Sequence, residues 1–147
     1  MAFILAELSR EAGPRSERVL QAEESLEIFE RIGDTGKQGH SLNSLAWALY
    51  QDGQLDATDE AASRAIQLLS EKGQEFRICE SHLYIGRIYQ AKGEREKAIY
   101  HFKTTLGIAS CFSWNGSLSF WAHHSLAMLF IEEDKLDDAH AHLEQAK

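Results

Sequence analysis

The chain has 147 residues, 44% of them apolar, one proline (Pro14) and a generous supply of Ala, Leu, Glu and Gln, which is room for one compact domain or a short repeat array of all-α class. The formal net charge of −8 argues against a nucleic-acid partner, which needs a basic face to displace counterions, and against an anionic membrane surface; no apolar run approaches the length that spans a bilayer. MAFILAELSR lacks the basic start and cleavage site of a signal peptide, and two cysteines, Cys79 and Cys111, are too few for a disulfide scaffold, so the expectation is a cytoplasmic protein with reduced, mostly buried thiols and no indicated disulfide.

Helical periodicity and turn residues predict eight helices, over about 1–12, 15–32, 37–52, 55–71, 74–92, 95–111, 117–133 and 136–147. Pro14 falls just inside the second, where its missing N–H costs little. One spacing recurs along them. It is clearest in IGRIYQAKGEREKA, with Ile85-Gly86, Tyr89, Gly93 and Ala98, and again in LAWALYQDGQLDAT, with Leu45-Ala46, Leu49, Gly53 and Thr58. LAMLFIEEDKLDDA repeats it as Leu126-Ala127, Phe130, Asp134 and Ala139, and LAELSREAG carries a fainter copy with Leu5-Ala6 and Gly13. The turn residues 13, 53, 93 and 134 are therefore 40, 40 and 41 apart, the mark of a repeat architecture. Each unit is a helical hairpin: Gly or Asp ends its first helix in a left-handed conformation, and the inner small residue (Ala6, Ala46, Gly86, Ala127) lets the two helices approach. The hairpins are expected over about 1–33, 37–72, 74–112 and 117–147, as one repeat domain. No polar capping helix follows Ala146-Lys147, so the chain reads as a piece of a longer array whose uncapped ends could self-associate.

LYIGRIYQAKGEREKAIYHF closely resembles the tetratricopeptide repeat, with small residues at Gly86 and Ala98, apolar ones at Ile85, Tyr89 and Phe102, and the turn glycine at Gly93. That family's repeat has about 34 residues; the extra residues here lie at the hairpin boundary, as in LEIFERIGDTGKQGHSLNSLAWALY. This lengthened form resembles the repeats of kinesin light chains, of the Leu-Gly-Asn-rich spindle-orientation proteins, and of the arrays that follow the nucleotide-binding domain of STAND proteins. The resemblance implies a right-handed α-solenoid of antiparallel hairpins that binds proteins or peptides and carries no catalysis and no cofactor. The family's proline near the end of the second helix is missing from every copy, and Arg18 and Thr58 stand where that helix has alanine, so those two hairpins are expected to be looser.

In such arrays the first helices line a concave face. Counting back from the turn residues gives its rungs: Glu7, Trp47, Arg87 and Met128 six before; Phe3, Asn43, Leu83 and His124 ten before; Tyr50 and Gln90 three before; His40 and Trp121 thirteen before. Trp47, Tyr50 and Trp121 are candidate anchors and Arg87 a candidate carboxylate fork. Family members that clamp a terminal carboxylate use lysines and asparagines; of the corresponding Phe3, Glu7, Asn43 and Arg87 only Asn43 matches, so that activity is not expected.

Other chemistries fail on spacing. RIGDTGKQG is no phosphate loop, because Gly33 stands only three before Gly36, Gln38 follows Lys37, and no strand precedes it. His123-His124 and His140-x-His142 point in different directions on a helix, and no His pair four apart or Cys pair completes a metal site. His82 and His123 occupy equivalent places, as do His101 and His142, which repetition explains. EEDKLDDAH lacks the glycine and ligand spacing of a calcium loop, and no nucleophile has a defensible base. The expectation is a protein-interaction module without catalysis, cofactor or metal; its rival is a structural or self-assembly segment of a larger scaffold or sensor.

Overall fold

The computed structural model describes residues 16–112 and 116–146. The helix expected over 1–12, and with it Phe3, Glu7 and Gly13, lies outside the described residues. Seven helices follow: α1 (Glu17–Ile32), α2 (Thr35–Gln51), α3 (Leu55–Ser70), α4 (Glu75–Ala91), α5 (Arg95–Ala109), α6 (Gly116–Glu132) and α7 (Leu136–Gln145). No strand occurs among the described residues.

Local chemistry sets the helix ends. The Ser16 hydroxyl accepts from the Val19 amide to cap α1, and the Asp34 carboxylate accepts from the Lys37 amide, 3.0 Å away, to cap α2, the ordinary work of such residues. RIGDTGKQG is therefore a helix start: Lys37 pairs with Asp34 and lies over the Phe29 ring. Inside each hairpin the turn residue is left-handed: Gly53 and Gly93 have φ of 74° and Asp134 has 58°. The next amide reaches back to the same carbonyl each time, Gln54 to Leu49, Glu94 to Tyr89 and Lys135 to Phe130, at 2.8–2.9 Å. This is the Schellman closure of a helix end. A Cβ on Gly93 would meet nothing within 4 Å, so the cost of Gly93→Ala is purely conformational. That variant is expected to lose about 1–2 kcal/mol, and Gly93→Asn less, in urea unfolding followed by circular dichroism.

Each hairpin, α2/α3, α4/α5 and α6/α7, packs its own two helices together, and successive first helices also touch, α2 on α4 and α4 on α6. Successive second helices bring no Cα atoms within 8 Å of each other among the described residues; α1 and α3 are bridged at their surface, by Glu30 and Arg64 side chains 2.6 Å apart. First helices thus crowd on one side while second helices splay, which curves the stack and makes the first-helix side its inner face. The molecule is an α-solenoid of helical hairpins.

The core runs along the hairpin seams. Ala46, Ala62, Ala65, Leu69, Cys79, Ile88, Ala98, Phe102, Ala122, Leu126 and Ala127 are fully buried. Small residues oppose large ones. A Cβ added at Gly39 would stand 2.6 Å from two atoms of Leu69, and one at Gly86 would stand 2.6 Å from Phe102. One repeat later the Gly39–Leu69 places are held by Cys79 and Ala109; one repeat earlier the Gly86–Phe102 places are held by Ala46 and Ala62. Each seam is filled by its own division of volume. Thr58, expected to loosen its hairpin, is fully buried and donates its hydroxyl to the Gln54 carbonyl at 2.8 Å, so the larger side chain is accommodated. Cys79 donates to the Thr105 carbonyl. Burial, reinforced by nearby Glu80 and opposed by a hydrogen bond from the Ala109 backbone, pushes its thiol up to about 12. Both cysteines are free, and Cys111 is exposed, not buried as expected: it sits past the end of α5, beyond the seam.

Candidate functional site

Three consecutive first helices contribute to one cluster on the inner face. Arg87, on α4, projects between Trp47 and Tyr50 of α2 and Trp121 of α6. Its guanidinium carbon lies 4.9 Å from the Trp121 ring centroid, 5.8 Å from Trp47 and 6.0 Å from Tyr50. Trp47 in turn stacks on Tyr50 at 6.1 Å and meets Tyr84 at 5.8 Å. The arrangement follows from spacing: three residues separate Trp47 from Tyr50, and Tyr84 from Arg87, which puts each pair on one helical strip. A groove of about 300 Å³ opens here, lined by Trp47, Leu83, Tyr84, Arg87, Ser117, Leu118 and Trp121.

The electrostatics are those of a cation held by rings. Burial lowers the Arg87 pKa, partly opposed by Tyr50 and Tyr84. Arg is so basic that it stays charged, and cation–π attraction, about 0.5–2 kcal/mol per desolvated contact, offsets part of the lost hydration. Tyr84 is held protonated, pushed up to about 12 by burial and by Glu80, against Arg87 and Arg77. Arg77 is paired with Glu80 at 3.0 Å. Arg87 faces aromatic rings, and among the described residues its electrostatic partners are Tyr50 and Tyr84 rather than a carboxylate.

The predicted rungs divide. Trp47, Arg87, Met128, Trp121 and His40 are exposed or half-exposed, and Tyr50 and Gln90 are partly covered. His124 lies beside Trp121 and stacks on Phe120. The rung ten before the turn goes elsewhere on two helices. Leu83 and Asn43 are both only 3% exposed. The Asn43 amide donates to the Arg77 carbonyl at 2.8 Å and its oxygen accepts from the Ser81 hydroxyl at 2.6 Å. Asn43 thus fastens α2 to α4, and its hydrogen-bonding capacity is spent there. The single residue that matched the carboxylate-clamping pattern is used up in packing. Sequence reasoning missed Tyr84 and Phe120. Tyr84 was findable, three residues before Arg87 on the same strip, and Phe120 lies four before His124.

No group of three or more His, Cys, Asp and Glu that could hold a metal ion occurs among the described residues. No helix among them is long and apolar enough to cross a membrane.

No protein-family model matches the chain, and no curated protein matches it. Among solved structures, the crystal structure of MamA resembles this chain with a TM-score of 0.57 at 20% sequence identity, over 87% of this chain and 75% of that one. MamA is a tetratricopeptide-like protein. This chain has a tetratricopeptide-like fold. At that identity the likeness speaks for the fold alone. In this tetratricopeptide-like stack the Arg87 cluster spans three successive hairpins.

Proposed function

We propose that the chain is a non-catalytic interaction module that holds a peptide or a partner protein on its concave, first-helix face, with Arg87 reading a carboxylate and Trp47 and Trp121 gripping the apolar side chain beside it. The observation that carries this reading is a partly desolvated guanidinium caged by Trp47, Tyr50 and Trp121 with no acidic residue among its electrostatic partners in the described residues. Arg and Trp are the residue types that dominate binding energy when they sit in partly desolvated pockets. A guanidinium fork is pre-set for a carboxylate, and rings around it remove the water that would compete. Met128 and Gln90 continue the surface along α6 and α4.

Selection of a random peptide display library on the whole chain tests this. Selected peptides should be enriched in acidic residues next to an aromatic or branched apolar one. Fluorescence anisotropy on the best peptide should show Arg87→Ala and Trp121→Ala each weakening it about tenfold or more, some 1.4 kcal/mol. Tyr100→Ala, on the exposed side of α5, should leave affinity unchanged. Failure to select any peptide, or peptides indifferent to Arg87 and Trp121, would favour the rival reading of a structural segment that packs on its own chain or self-associates. Exposed Leu136 and Leu143 on α7 are the surface that rival would use.

A further inference from the structure

His82 on α4 and His101 on α5 face each other across one hairpin, with their Nδ1 atoms 2.9 Å apart. His123 on α6 and His142 on α7 do the same in the next hairpin, at 3.0 Å. Ring centroids are 5.2 Å apart in both pairs. Each second-helix imidazole also carries an aromatic ring from the first helix: Tyr89 stacks on His101 at 5.6 Å and Phe130 on His142 at 5.5 Å. All four imidazoles are partly buried. The same construction thus occurs twice, one repeat apart, at the junction of two helices that must stay together.

A bond between two Nδ1 atoms requires one ring to carry its proton on Nδ1 and the other to carry it on Nε2. A first added proton goes to the free Nε2 of the donor ring and leaves the Nδ1–H···Nδ1 bond in place. A second must take Nδ1 of the acceptor. The bond is then lost, and two like charges remain about 3 Å apart in a partly desolvated seam, a costly arrangement. The two sites titrate as a pair, in two steps.

We propose that His82/His101 and His123/His142 are acid-released latches: each closes its hairpin while the pair holds at most one extra proton, and lets the two helices part when the second arrives. The helices concerned carry the groove, since α4 bears Arg87 and α6 bears Trp121, 4.9 Å from it. Acid would thereby loosen the aromatic cluster as well as the seams.

The surroundings support this. Around the first pair, burial lowers His82 to about 4 with His101 adding to it, and burial alone lowers His101. Tyr89 and the edge of Tyr100 are the aromatic neighbours of His101, and Lys97 of α5 lies over the Tyr89 ring. Around the second, burial and then His142 lower His123. His142 is lowered by burial and by Lys103 of α5, against Asp138 of α7, while Arg95 of α5 lies over Phe130. Among the described residues Asp138 favours protonation of His142 and Lys103 opposes it, while Lys97 and Arg95 are each paired with a carboxylate, Glu94 and Glu133. The folded chain therefore binds fewer protons than the unfolded one below the ordinary histidine value near 6.5. Stability is full above about pH 6.5 and falls as the pH drops from there toward about 4.

Thermal unfolding of the whole chain, followed by circular dichroism between about pH 7 and pH 5, where most carboxylates stay ionised, tests this. The wild-type midpoint should fall by about 5 °C or more. His101→Gln/His142→Gln should show less than half that fall, because an amide can donate to a neutral Nδ1 and, by turning over, accept from a charged one. A flat wild-type midpoint, or a variant as acid-sensitive as wild type, overturns the proposal. Should the variant not fold, histidine NMR titration of the wild-type chain decides. Two-step titration of each pair, with the second step below about pH 5, upholds it; four independent steps at the ordinary histidine value overturn it.

Discussion

Phe102→Ala is expected to cost about 3–5 kcal/mol of unfolding free energy, a large share of the roughly 5–15 kcal/mol that holds an ordinary domain together. Phe102 is fully buried and its ring fills the space that Gly86 leaves open between α4 and α5. Truncation removes about six ring carbons from that space, and the backbone of a hairpin closed by the Gly93 turn cannot collapse to refill it. The lost transfer free energy and the remaining cavity therefore add. Urea unfolding followed by circular dichroism gives the number, and a loss under about 1 kcal/mol would mean that the seam repacks freely.

Gly86→Leu is the complementary insult, expected to cost about 3 kcal/mol, the upper end of the range for overpacking. A single Cβ at this position would stand 2.6 Å from Cε1 and 2.8 Å from Cδ1 of Phe102, closer than packed atoms allow, and leucine adds three more carbons in the same direction. Gly86→Ala meets the same clash but gains about 0.5–1 kcal/mol of helix propensity, so its net cost should be smaller. The decisive result is a reversal of sign. In the Phe102→Ala background the obstacle is gone, and Gly86→Ala should then stabilise by its propensity gain. Destabilisation in both backgrounds would show that the small residue serves something other than room for the ring.

Helix positions were legible in the sequence because turn chemistry and spacing act locally. The 40-residue phase places Gly53, Gly93 and Asp134, and each adopts the left-handed conformation that such a helix end needs. The core of the candidate site was legible too: Trp47, Tyr50, Arg87 and Trp121 lie on strips fixed by helical spacing and meet in space. What spacing cannot show is which neighbour covers a strip. Asn43 and Leu83 sit on a rung that α2 and α4 use against each other, so they are buried although the repeat phase made them groove residues. The histidines show the same boundary. Their equivalence was visible in the repeat, but their contact across the seam depends on how far the helices are rotated. Cys111 was expected inside because cysteine usually is, and it lies outside because α5 ends two residues earlier, at Ala109.

The uneven division of volume along the seams amounts to a pairing code. Hairpins of one array share an outline, so a second helix could in principle dock on the wrong first helix while the chain folds. Here α3 brings Leu69 to Gly39, and α5 brings Phe102 to Gly86. Were α5 to dock on α2, Phe102 would arrive at Ala46 and Ala109 at Gly39, a collision at one end and a void at the other. Were α3 to dock on α4, Leu69 would arrive at Cys79 and Ala62 at Gly86, with the same two faults. Each strand of the code rejects its neighbour's partner by shape alone, so the order of hairpins is written into side-chain size.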